Sequence, residues 1–127
     1  GGILKLTPGR DITQEWQTEE FERPAGVGSG KGVAIGDMDQ DGENDIVCTC
    51  EHSEGKVGVF WLKSPAVRDT AQVRKLPQKW VFHDISGTQQ GIKFDRVELR
   101  DLDRDGDLDL ITCEERDNLG VIWYENP

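Results

Sequence analysis

An all-β fold of short antiparallel strands, arranged in repeated units, is predicted for this 127-residue chain. Three observations carry the prediction. Composition comes first: 15 Gly and 5 Pro are many for a helical bundle and usual for a chain rich in turns. Second, apolar residues fall in short alternating runs, and no segment carries a capped apolar stripe of helical period. The third is an internal repeat. Residues 36–46 (GDMDQDGENDI) align with residues 100–110 (RDLDRDGDLDL) at an offset of 64 residues, which Trp16 and Trp80 keep. Trp61 and Trp123 lie 62 apart, so about two residues are lost in the second copy after its acidic loop.

The elements follow from this repeat. Val33–Gly36 and Val97–Arg100 alternate ahead of the acidic loops and read as first strands. Residues 46–50 and 110–113 read as second strands, and residues 57–62 and 121–124 as third strands. Residues 80–85, and by phase 16–21, form fourth strands. Polar connectors with Pro fill 64–79 and 7–15, and a Gly/Ser-rich connector fills 25–32. The octet 58–65 (GVFWLKSP) recurs as 120–127 (GVIWYENP), and 1–8 (GGILKLTP) shares its length and ends. Four short strands per unit around a fixed acidic turn suggest β-propeller blades.

The organisation is then residues 1–15 as a third-strand-like octet with its connector, 16–79 as repeat unit 1 and 80–127 as repeat unit 2. Two blades cannot close a ring, because propellers need roughly 4 to 8. The expected partners are therefore other copies of the chain, head to tail in a ring or filament, or further blades of a parent chain. The chain begins Gly1-Gly2 and its one methionine is Met38, so it reads as a processed product or a fragment.

Charge and hydropathy exclude other classes. A net charge of −10 speaks against gripping nucleic-acid phosphates, so no nucleic-acid partner is expected. No apolar run approaches the roughly 18 residues of a membrane helix, so no membrane insertion is expected. Four Trp and four Phe supply material for a core and argue against disorder. Cys48, Cys50 and Cys113 are an odd set, and Cys48 and Cys50 on one strand face are poorly placed to bond each other, so they read as small buried residues.

Both acidic loops, 37–45 and 101–109, read D-x-D-x-D-G-x-x-D. Carboxylates at positions 1, 3 and 5 of a tight loop can converge on one cation, and Gly at position 6 permits the turn. Position 7 (Glu43, Asp107) would offer its carbonyl, and position 9 (Asp45, Asp109) would close the shell. Oxygen-only ligands favour Ca2+ over zinc or copper, and Mg2+ prefers to keep its waters. An EF-hand needs Glu at position 12, where these loops have Cys48 and Thr112. The ten acids at the odd loop positions are ten of 25, and the other 15 balance the 15 Lys and Arg, so the net charge resides in the loops.

Here the chain resembles the FG-GAP/VCBS-type propeller repeats, the calcium-loop blades also found in integrin α-subunit heads and in many secreted bacterial proteins. The resemblance rests on DMDQDGENDI and DLDRDGDLDL inside four-strand units and spans about residues 16–127. It implies a β-propeller with Ca2+ between first and second strands. The ligands it implies are Asp37, Asp39, Asp41, Glu43 and Asp45 in one loop, and Asp101, Asp103, Asp105, Asp107 and Asp109 in the other. The ion in this family is mainly structural, and an extracellular or cell-surface location follows from the same resemblance.

Other residues are read more plainly. His83, Asp84 and Ser86 share one strand, whose alternation separates neighbours and disfavours a triad. His52 is expected in an exposed turn. Glu98 and Arg100 share a face and are expected to pair with each other or with a neighbouring blade. Thr49-Cys50-Glu51 matches Thr112-Cys113-Glu114 only if one residue is inserted, as in a bulge. The Trp residues recur once per unit and read as core between blades; exposed, they would suit glycan stacking. The leading expectation is a non-catalytic, Ca2+-stabilised extracellular module for self-assembly, adhesion or surface binding. A lectin-like propeller and the propeller portion of a secreted carbohydrate-active enzyme (a lyase or dehydratase) are the alternatives; no residue pair here stands out as an acid/base couple.

Overall fold

The computed structural model describes residues 2–65 and 79–127. The connector expected at 64–79 lies mostly outside the described residues. Nine strands are described: β1 (Ile3–Thr7), β2 (Gln17–Phe21), β3 (Ser29–Gly36), β4 (Asp45–Glu51), β5 (Val59–Lys63), β6 (Val81–Asp84), β7 (Phe94–Arg100), β8 (Asp109–Glu114) and β9 (Gly120–Tyr124). They form a hairpin β1-β2, a four-stranded sheet β3-β4-β5-β6 and a three-stranded sheet β7-β8-β9. Every pairing between named strands is antiparallel. No helix among the described residues is long and apolar enough to cross a membrane.

Sheet boundaries cut across the sequence repeat. The fourth strand opening unit 1, β2, pairs with β1 and not with the sheet that follows it. The first strand of that sheet begins at Ser29, inside the expected Gly/Ser connector, because small residues there let β3 run on with a bulge at Lys31. The insertion that a Thr-Cys-Glu match would need in the second strand is absent. Val33 pairs with Cys48 and Val97 with Thr112, so the offset of 64 holds along β4 and β8, and Cys50 is the counterpart of Glu114. The two-residue loss lies in the following hairpin, which runs from Thr49 to its partner Val59 in one repeat and from Cys113 to Val121 in the other.

Strand alternation feeds two cores from β4, which is buried on both faces. Ile46, Cys48 and Cys50 point to a core shared with Phe60 and Leu62, on which Ile3 and Phe21 of the β1-β2 hairpin and Trp80, just ahead of β6, pack. Val47, with Val59 of β5, points to the other core, which the first face of the next sheet covers with Phe94, Val97 and Leu110. Phe94 is 1% exposed and is the plug of this seam. A Cβ on Gly58 or Gly91 would come within 2.1 Å of its ring, so both positions require glycine. The seam is also bridged by Lys31, whose Nζ lies 3.2 Å from Glu51 and 3.3 Å from Asp95.

Candidate metal-binding loops

Each acidic loop joins the first and second strands of its sheet, loop 1 from β3 to β4 and loop 2 from β7 to β8. Both enter the left-handed region at positions 4 and 6: Gln40 at φ 59° and Gly42 at 91°, Arg104 at 68° and Gly106 at 104°. Glycine is the residue that adopts this freely, and Gln40 and Arg104 are held there by the loop. In loop 1, Asp37 accepts from the N–H groups of Asp41 (3.0 Å) and Gly42 (2.8 Å), and Asp41 accepts from Glu43 N (3.0 Å). In loop 2, Asp101 accepts from Arg104 N (2.7 Å), Asp103 from Asp105 N (3.2 Å) and Asp105 from Asp107 N (3.2 Å). These bonds fix the carboxylates of Asp37, Asp41, Asp101, Asp103 and Asp105 on the backbone of their own loops.

The acids at position 9 are fully buried staples. Asp45 accepts from Met38 N at 3.0 Å and Ser64 N at 2.7 Å. Asp109 accepts from Leu102 N and Asn126 N, both at 3.0 Å. Each therefore ties the loop start to the end of the third strand. The Asn126 side chain also donates to Met38 O at 2.8 Å, which links the two loops through hydrogen bonds.

The structure brings together carboxylate oxygens of Asp37, Asp39 and Asp45 within 4.8 Å of one another, and likewise those of Asp101, Asp103 and Asp105. These two clusters can hold metal ions. Asp41 is held elsewhere, 2.6 Å from Lys63 Nζ, and Lys63 also bonds Asp39. The Lys63 hydrogen bond, followed by that from Glu43 N, holds the Asp41 carboxyl below its ordinary value. Asp39 and Asp41 in turn raise the Lys63 ammonium well above its own. Loop 2 behaves oppositely. Burial and then repulsion by Asp105, Asp109, Asp103 and Asp101 raise Asp107, while burial and the charges of Asp105 and Asp109 raise Asp103. Asp107 is 8% exposed, and its buried Oδ1 finds no hydrogen-bond donor among the described residues. An oxygen-only donor set with an orphaned, repelled carboxylate oxygen fits a hard divalent cation. Glu43, which is half-buried, and Asp107 and Asp109 of loop 2 lie outside the convergent groups.

Residues 37–112 match the FG-GAP-like repeat. The chain belongs to this family. No curated protein and no solved structure matches it. FG-GAP repeats form propeller blades, so β3-β4-β5-β6 is a four-stranded blade and β7-β8-β9 a three-stranded one.

The remaining sequence candidates resolve into structural roles. The Ser86 hydroxyl accepts from Gly58 N (2.9 Å) and Val59 N (3.0 Å) and donates to Gly87 O, and Asp84 accepts from Gly87 N. His83 stacks on Trp61 with ring centroids 4.3 Å apart. His52 is exposed, at φ 54° in a turn. Glu98 pairs with Arg96, two residues back on the same face, and not with Arg100. Trp61 and Trp80 flank the cores, whereas Trp16 and Trp123 stand 42% and 48% exposed. All three cysteines are free, and burial, with a smaller contribution from Cys50, pushes the Cys48 thiol up to about 12.

Sequence reading missed Glu114. It is 2% exposed and accepts backbone N–H groups from Ile92, Lys93, Arg116, Asp117 and Leu119. Burial would raise its carboxyl, but the donated N–H groups of Asp117, Lys93, Ile92 and Arg116 outweigh that and hold it at about 2. The signal available was a Glu where the first repeat has the apolar-facing Cys50.

Proposed function

We propose that the chain is a Ca2+-stabilised extracellular propeller-blade module, without catalysis of its own, that assembles face to face with further blades of the same kind. Other copies of the chain and further blades of a parent chain are equivalent suppliers. Adhesion or surface binding is the role that suits such a scaffold. Calcium is favoured by the oxygen-only donors and by carboxylates that repel one another until a cation enters.

One observation carries the assembly. The seam between the blades buries Val59 and Trp61 of one against Val97 and Leu99 of the other. The counterparts of Val59 and Trp61 on the outer face of the second blade, Val121 and Trp123, are 78% and 48% exposed. The counterparts of Val97 and Leu99 on the first blade, Val33 and Ile35, are 60% and 66% exposed. The exposed parts of these two faces thus carry the two halves of a seam the molecule already makes once, a head-to-tail, heterologous contact, although the β1-β2 hairpin already packs on part of the first-blade face. Trp123 belongs to that seam face, so stacking on a glycan is the less economical reading of its exposure.

Sedimentation with and without Ca2+ tests the assembly. A folded species of 14.2 kDa at all concentrations would refute it. Thermal melting tests the ion. Chelation is expected to lower the melting temperature by about 10 °C, because a metal that binds only the folded state stabilises it by mass action. An unchanged curve would remove calcium from the proposal.

A further inference from the structure

The two loops share a pattern and differ in their built-in charge. Lys63 ends β5 and places its ammonium on Asp39 and Asp41, positions 3 and 5 of loop 1. Its counterpart is set by strand pairing: Leu62 faces Ile46 and Tyr124 faces Leu110, so the next residues, Lys63 and Glu125, occupy the same place in their blades. Loop 2 therefore has an acid at the register position where loop 1 has its cation. Loop 2 also contains the buried Oδ1 of Asp107, which finds no hydrogen-bond donor among the described residues.

Resting on the calcium reading above, we propose that the loops are unequal cation sites. Lys63 is the built-in counter-ion of loop 1, which a divalent cation must displace, whereas loop 2 pairs with no Lys or Arg among the described residues, has an acid at the equivalent register position, and fills first. A cation entering loop 1 loses the attraction that Lys63 already supplies and must also release its ammonium to solvent. The same cation entering loop 2 meets the carboxylates of Asp101, Asp103 and Asp105 with no ammonium on them among the described residues. More ligand charge gives a tighter site. The second blade would then keep its ion at low calcium while the first exchanges its ion for Lys63, making loop 1 the calcium-responsive site.

Calorimetric titration of the chain with Ca2+ tests this. Two steps are expected, roughly tenfold or more apart in affinity. Asp105→Asn should remove the tighter step. Lys63→Met, which keeps the aliphatic stem, should strengthen the weaker step by roughly three- to tenfold and leave the tighter one in place. Glu125→Lys should weaken the tighter step by a similar factor, which keeps the test open should Lys63→Met fail to fold. Two steps of equal affinity, with neither charge variant moving them, would overturn the inference and leave the calcium reading standing. No heat and no melting shift with Ca2+ would overturn both.

Discussion

The two blades place unlike residues at equivalent positions, and the contrasts fall where the blades meet their surroundings. Phe94 fills the seam between the blades, resting on Gly58 and Gly91. At the offset of 64 the first blade has Gly30 in its place, and Gly30 lines a cleft of about 270 Å3 with Gly2, Cys48, Cys50 and Phe60. The end of β8 is organised by the buried Glu114, whereas the end of β4 has Cys50, whose carbonyl accepts from Ser53 Oγ at 3.3 Å. Loop 1 holds Lys63, where loop 2 has Glu125 in register. The pattern of loop, strand and hairpin is common to both blades. What differs is the single side chain that decides whether a seam is plugged, a turn is tied or a loop is neutralised.

Each contrast can be broken by a substitution. The largest effect is expected from Phe94→Ala. Removing a fully buried aromatic plug costs about 3–5 kcal/mol, and denaturant unfolding would read the loss. A cost below about 1 kcal/mol would mean that the seam does not depend on its plug.

Glu114→Gln comes next, at about 2–4 kcal/mol, because an amide cannot satisfy the converging N–H groups that a carboxylate does. The pH dependence has a definite sign. The folded value is depressed from 4.5 to about 2, so the stabilisation is complete above about 4.5 and is lost as pH falls towards 2. The Gln variant should lack that acid-side fall, and urea unfolding at a series of pH values would show whether it does. An identical pH profile would remove Glu114 from this role.

The smallest effect is a gain. A Cβ at Gly30 meets nothing within 4 Å, so Gly30→Phe can transplant the plug into the cleft. It should raise stability by about 0.5–2 kcal/mol, as cavity-filling changes do. A loss of stability would show that the two seams are not equivalent in shape.

Much of this was legible in the sequence, and the reason differs by feature. The acidic loops were readable because D-x-D-x-D-G-x-x-D is a local code: short carboxylates and one glycine bend the chain on themselves, and position 9 closes the loop through Met38 N or Leu102 N. Strand positions were readable from alternation. The second-strand register was ambiguous in the sequence because Thr-Cys-Glu recurs at an offset of 63; backbone pairing puts Cys50, not Glu51, in register with Glu114. Glu98 was expected to pair with Arg100 or a neighbouring blade; Arg96 and Arg100 both lie two residues from it, so spacing could not choose between them, and the structure pairs it with Arg96. Glu114 and Lys63 were overlooked because their partners are remote: Ile92 and Lys93 lie 22 and 21 residues before Glu114, and Asp41 lies 22 before Lys63.

The sequence alone determined the all-β repeat, the two acidic loops and the concentration of the chain's net charge within them, since all three depend on residue type and spacing over a few positions. The tertiary structure alone decided which carboxylates converge, that Lys63 enters one loop while Asp107 stays unpartnered in the other, and which apolar faces remain open. Those outcomes depend on how strands far apart in the chain are brought into register, where a shift of one residue turns every side chain to the opposite face.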